Sequence, residues 1–336
     1  MIATSREARG RLNRRCRTLA VSLGICLAAG AAPAQTASPA MPQTAWGAPD
    51  LGGIWDFRTM TPLERPRDLA DTAVWTPEEA AAYEQRTLER RGRNPLAPSS
   101  VHAAWWLDNG TTLTDDRRTS LITEPSDGRV PALTPAAKQR QDAHGVRRPV
   151  RLRQSRNSPA VGPEDLGIGE RCLIGFSSGP PITPSAYNNN LMVFQTPDHV
   201  ALLTEMVHEV RIVPLDGRPH LDDGVRQWLG DSRGYWEGDT LVVDSTNFTP
   251  NVGSFSTLGN AIGSGETLHL IERFTRVDDE TLLYEFTIDD LHTFSERFSA
   301  ALPMRRTDAP LYEFACHEGN RGLEGILRGA RAQERH

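Results

Sequence analysis

Five short stretches of this chain carry side chains that could move protons or hold a polar molecule. Tyr187-Asn188-Asn189-Asn190 stands before one apolar segment, and His208-Glu209-Val210-Arg211 opens another. Pro219-His220 follows a turn, Asp231-Ser232-Arg233 precedes Tyr235-Trp236, and Cys316-His317-Glu318-Gly319-Asn320 lies near the end. Turn-favouring Asn and Asp explain part of this density. They do not explain two His and two Arg beside apolar strands. The chemistry such a set supports is general acid–base catalysis, with His208 as base or acid and Arg211 binding an oxyanion or carboxylate. Asn190, His220, His317, Asp231, Arg233 and Tyr187 would then bind and orient a substrate.

The carboxyl partner of His208 is expected to be Glu272. Residues 267–277 and 281–289 flank the turn Asp278-Asp279-Glu280. If Phe274 sits opposite Tyr284, then Leu268, Leu270, Phe274, Leu282, Tyr284, Phe286 and Ile288 share one face, and Glu272 lies among them. A carboxylate there is desolvated, which makes it a candidate acid or base unless a cation pairs with it. An Arg-paired structural role is the alternative. The opposite face sets Arg273 against Glu285 and His269 against Asp289, favourable cross-strand pairs. That face is either an outer surface laced with ion pairs or the wall of a ligand-holding barrel.

Other motifs carry less. Gly175-Phe176-Ser177-Ser178-Gly179 has the G-x-S-x-G form of serine hydrolases, which need a helix after the serine. Pro180, Pro181 and Pro184 follow and cannot begin that helix. Gly230-Asp231-Ser232, with Asp289-Asp290-Leu291-His292 downstream, matches GDS-type esterases in letters, but those are three-layer α/β proteins with an early serine. No two histidines are spaced i, i+2 or i, i+4, and no Cys-x-x-Cys occurs, so no metal site is expected. A metal held by His208, His220, His269 and His317 would need convergence across strands. Lys138 is the only lysine, which excludes a P-loop and a Schiff-base lysine on the strands. No cofactor is implied.

The elements that must position these residues are mostly strands. Gly53–Phe57 alternates like a first strand, and residues 120–124 and 129–133 flank Ser126-Asp127-Gly128 as a hairpin. Thr76-Pro77-Glu78-Glu79 is a helix start, with Thr as cap and Pro at the first position, running to about Arg91. Thr134-Pro135 opens a second short helix, and residues 141–170 read as a long irregular connection. From Asn188 onward strand follows strand: 191–195, 200–206, 210–213, 234–236, 240–248, 267–277, 281–289, 293–300 and 312–316, before a helix at 321–333. Short connections imply antiparallel neighbours, and such a series implies a meander that curls into a barrel or strongly bent sheet.

Residues 1–34 have the form of a removable export signal. Six arginines precede an apolar run from Leu19 to Ala29, and Ala32-Pro33-Ala34 offers a cleavage site. That run is too short for a permanent membrane span, and nothing later reaches the length. Six arginines and Glu7 leave with the segment, so a net charge of −6 becomes −11. Such acidity argues against nucleic acid or anionic lipid as partner. Cys172 and Cys316 remain, and in an oxidising space they are expected to form one disulfide.

Gly234–Val243, Glu272–Asp278 and Tyr312–Asn320, together with Trp55-Asp56-Phe57-Arg58 and residues 61–66, resemble a large family of exported bacterial hypothetical proteins. That resemblance implies no activity. Gly53-Ile54-Trp55 on a first strand is similar to the G-x-W start of lipocalin-like (calycin) barrels, in which the tryptophan plugs one barrel end.

The expectation is a mainly β, lipocalin-like protein with a few peripheral helices. After the signal and a flexible leader at 35–50, residues 51–336 form one domain, with a helical and irregular insertion at about 60–186. Its function would be cofactor-independent lyase, isomerase or hydrolase chemistry on a small organic molecule in a barrel pocket, in the periplasm or outside the cell. The alternative is a small-molecule binding or carrier protein without catalysis.

Overall fold

The computed structural model describes residues 41–93, 107–144, 160–175, 178–257 and 260–334. The expected export signal, the first part of the leader, Phe176 and Ser177 of the G-x-S-x-G stretch, and part of the 141–170 connection lie outside the described residues. Among the described residues, no helix is long and apolar enough to cross a membrane.

The strands are β1 (Gly53–Asp56), β2 (Ile122–Glu124), β3 (Asn190–Gln195), β4 (His199–Thr204), β5 (Val210–Pro214) and β6 (Asp231–Glu237), then β7 (Thr240–Thr246), β8 (Phe255–Thr257), β9 (Asn260–Ile262), β10 (His269–Arg276), β11 (Thr281–Asp289) and β12 (Phe298–Thr307). Among the described residues three α-helices accompany them, α1 (Pro77–Arg93), α2 (Pro135–His144) and α3 (Arg321–Gln333). The helix start at Thr76 is a capping box. Thr76 Oγ1 accepts from Glu79 N at 3.2 Å, and Thr76 N donates to Glu79 Oε2 at 2.9 Å.

One antiparallel ten-stranded sheet runs in the order β5-β4-β3-β1-β12-β11-β10-β7-β6, with β2 also on β12. The chain's first strand therefore lies inside the sheet and joins two runs, β3-β4-β5 and β12-β11-β10-β7-β6, while β8 and β9 pair with each other in a separate two-stranded sheet. The β10–β11 hairpin has the register expected from its alternation, with Phe274 opposite Tyr284 and Glu272 opposite Phe286. Its inner face carries the buried Leu270, Glu272, Phe274, Leu282, Tyr284, Phe286 and Ile288.

The expected barrel does not close. The edge strands β5 and β6 share no hydrogen-bonded ladder, and they meet where Gly234 approaches the side chains of Val213 and Leu215. At Gly234 of β6 an added Cβ would lie 2.8 Å from Val213 Cγ1 and 2.6 Å from Leu215 Cδ2. A side chain there would force Val213 and Leu215 to move. The concave side is filled. Trp55, Phe57, Leu191, Val213, Leu241 and Phe274 belong to one buried cluster, which Ile168, Ile174 and Ile182 join from the segment before β3. Trp55 donates from Nε1 to Leu51 O at 2.9 Å, and the guanidinium groups of Arg276 and Arg306 stand 5.7 and 5.9 Å from its ring.

Three local expectations are corrected. Residues 129–133 do not pair with β2, which lies on β12. The Ser126-Asp127-Gly128 turn instead docks on residues 64–65, through Arg65 N to Gly128 O and Val130 N to Glu64 Oε1. β12 begins at Phe298, since Thr293 and Phe294 turn back to donate to Asp290 O. Residues 312–316 form no strand, and side chains hold them in an irregular path.

Candidate functional site

Glu272 projects from β10 into the apolar core, where it is completely buried. Arg211, from the far edge strand β5, reaches across the concave face to meet it. Arg211 Nη1 donates to Glu272 Oε2 at 2.6 Å and Nη2 to Oε1 at 2.8 Å. Tyr284 Oη donates to Glu272 Oε1 at 2.8 Å and accepts from Ile182 N at 3.0 Å. Burial alone would lower the pKa of Arg211, but the charge of Glu272 outweighs it and raises the value. Burial, and next the charge of Glu272, push the Tyr284 phenol well above its ordinary range. Of the two readings of Glu272, the geometry brings it to a cation.

His208 lies elsewhere, exposed on the turn between β4 and β5 whose Glu205, Met206 and Val207 are buried, with its Nδ1 3.0 Å from Phe314 O. Val207 and His208 both have positive φ, 62° and 42°, an outlier conformation for a β-branched valine. Several expected site residues gather here around the segment that follows β12. Tyr187 stacks on Phe314 at 6.3 Å, Asn190 Nδ2 donates to Glu205 Oε2 at 2.7 Å, and Tyr312 N donates to Glu205 Oε1 at 3.2 Å. Burial raises the Glu209 carboxyl, and the charges of His208 and His317 partly offset this. The Cys172–Cys316 disulfide fastens the same segment. A disulfide fits an oxidising compartment.

A third group lies on the opposite face, over β6, β7 and β10. His220 places Nδ1 2.9 Å from Asp231 Oδ2 and Nε2 3.0 Å from Asp244 Oδ1. Both contacts are hydrogen bonds only when both ring nitrogens carry protons. The other oxygen of Asp244 meets His269 Nε2 at 2.9 Å, and Arg233 Nη1 donates to Asp231 Oδ1 at 2.7 Å. Burial pushes the Asp244 carboxyl up, but the hydrogen bonds and charges of His269 and His220 outweigh it and lower the pKa. The bond to Asp244 raises the pKa of His269, with burial opposing. The sequence reading named His220, Asp231 and Arg233 but missed Asp244. The alternation of β10 set His269 opposite Asp289, and the same alternation in β7 was the signal that could have added Asp244.

A polar cavity of some size involves none of these residues. Where the segment after Leu107 crosses the exit of β1, a cavity of about 260 Å³ is lined by Thr59, Thr61, Arg91, Asn109, Thr183 and Ser185, with Leu63, Leu121, Pro184 and Ala186. A second, of about 180 Å³, adjoins it through Thr59 and is lined by Arg58, Asp108, Asp115 and Arg305 among others. Gly110, at φ +68°, makes the crossing possible, since a Cβ there would stand 2.8 Å from Thr59 N. Arg91, from the last turn of α1, donates to Gly110 O at 2.7 Å. Ser185 is buried, and its hydroxyl has no hydrogen-bond partner among the described residues.

Comparison with protein-family models, curated proteins and solved structures finds no match. The functional reading therefore rests on the geometry of this chain alone.

Proposed function

We propose that this chain is an exported protein that binds a small polar molecule in the cavity beside Thr59, with residues 1–34 directing it to the periplasm or beyond the cell. One observation carries the reading. The half-buried Arg91, bonded to the Gly110 carbonyl and paired with no carboxylate among the described residues, lines a cavity together with Asn109 and the threonines Thr59, Thr61 and Thr183, and no acidic residue is on that lining. Such a wall offers donors that a polar ligand with matching acceptors can meet. The filled concave side moves the ligand from a barrel interior to this rim, and the bonds on Glu272 favour the binding alternative over the enzyme.

The test is a thermal-shift panel of small polar metabolites on the mature, oxidised chain. A ligand at a hundred times its Kd stabilises the native state by about 2.7 kcal/mol. Gly110→Ala, which drives the crossing segment off Thr59, should remove the shift. A panel that moves neither protein refutes the reading.

A second reading keeps acid–base catalysis at the turn between β4 and β5. It is favoured by Glu209, whose carboxyl is raised by burial next to His208 and His317. Unchanged turnover of an identified substrate by His208→Ala would end it.

A further inference from the structure

Arg91 has a cation's charge and, among the described residues, no carboxylate to balance it. It donates to a carbonyl, Gly110 O. The nearby acids are engaged elsewhere: Asp108 with Arg58 at 2.5 Å, Asp115 with Arg305, and Glu84 with Leu113 N at 2.7 Å. Burial lowers the pKa of Arg91, the charge of Tyr83 opposes this, and Arg90 adds to it. A half-buried guanidinium without a counter-charge, on the wall of an acid-free cavity in an acidic chain, is an arrangement that favours an incoming anion.

From this we infer that the cavity selects a small organic carboxylate, held by Arg91. This deepens the proposed binding function and rests on it. The guanidinium fork matches a carboxylate with two parallel donors. One arginine balances one negative charge, which suits a monocarboxylate better than a phosphate dianion. The volume of about 260 Å³ lies below the usual range for drug-sized ligands and suits a compact organic acid. Thr183 and Asn109 on the same wall provide groups for the rest of such a molecule.

The experiment is calorimetric titration of the mature, oxidised chain with lactate and benzoate, with the neutral isosteres lactamide and benzamide, and with methyl phosphate. Arg91→Gln and Asn109→Ala are titrated in parallel, and circular dichroism checks that they remain folded. Selective binding of a carboxylate over its amide, weakened about tenfold or more in Arg91→Gln and by several-fold in Asn109→Ala, is the expected result. If the amides bind as well as the acids and Arg91→Gln changes nothing, the carboxylate assignment falls while the cavity stands as a neutral-ligand site. Tighter binding of methyl phosphate overturns the carboxylate in favour of a phosphoryl group. No heat from any probe, together with no hit in the metabolite panel, overturns both the inference and the binding function beneath it.

Discussion

The bond between Arg211 and Glu272 sets up a sharp prediction about stability. It links strands at opposite parts of the sheet order, across a concave face whose edge strands are not hydrogen-bonded to each other. Replacing Glu272 by Gln keeps shape and leaves Tyr284 an acceptor, but strands a guanidinium that is only 6% exposed. Replacing Arg211 by Met strands a carboxylate at 0% exposure with Tyr284 as its remaining side-chain donor. Breaking a buried pair from one side costs about 3–5 kcal/mol. For a domain of this size, each kcal/mol lowers Tm by roughly 2–4 °C, so either single variant should melt roughly 10 °C below the native chain.

The double variant Arg211→Met/Glu272→Leu removes both charges and should recover most of the loss. A residue of about 1 kcal/mol would remain from the Tyr284 hydroxyl, which then has no acceptor. The assay is urea denaturation, with the disulfide intact, of the native chain, Arg211→Met, Glu272→Leu and Arg211→Met/Glu272→Leu, analysed as a double-mutant cycle, with Glu272→Gln measured beside them. A coupling energy above about 2 kcal/mol is expected. If Glu272→Gln stays within about 1 kcal/mol of the native chain, the clamp is refuted, and the carboxylate regains its claim to chemistry.

Two further outcomes follow from the other clusters. His269 has a raised pKa and Asp244 a lowered one, so their bond is at full strength between the ordinary values of 3.8 and 6.5. The His269 contribution is lost as pH rises through its raised value, and the Asp244 contribution as pH falls through its lowered one. With both groups partly exposed the effect is about 1 kcal/mol or less, and a Tm–pH profile in which His269→Gln declines above pH 6.5 as the native chain does would contradict it. The Cys172–Cys316 bond closes a separation of 144 residues, and its removal in Cys172→Ser/Cys316→Ser should cost about 2–5 kcal/mol. It should also open residues 308–320 to limited proteolysis, and protection equal to the native chain would show that Phe314 and Tyr312 hold the segment unaided.

What the sequence made legible was local. Period-two alternation put Glu272 on the apolar face and Phe274 opposite Tyr284, because a one-residue slip would have turned every core side chain outward. Thr76 and Glu79 announced α1 because a capping box is contained in four residues. The partner of Glu272 was named among the candidates but for another purpose, since a separation of 61 residues leaves no mark in spacing. The turn at Ser126-Asp127-Gly128 was legible as a turn, yet its pairing was not, because β2 found a longer-range neighbour in β12. Arg91 and Ser185 had no signal of any kind. Each is an ordinary surface-type residue until Gly110 allows the crossing segment to bring their walls together.

The architecture also explains why a ligand site would lie at the rim. A curled sheet with unpaired ends must be held by contacts across its concave side, and here those contacts are a packed apolar cluster and one charge-assisted bridge. Space for a ligand in that interior would compete with the packing that stands in for the missing ladder, since each methylene removed from such a core is felt in stability. The insertion between β1 and β3 sends Leu121, Ile122, Ile168, Ile174 and Ile182 into that core, while Arg91, Asn109 and Ser185 stay outside the cluster. Its turns can leave a hydroxyl unpaired and a guanidinium unbalanced without loosening the sheet, so the fold's polar freedom is concentrated where Arg91, Asn109 and Ser185 meet.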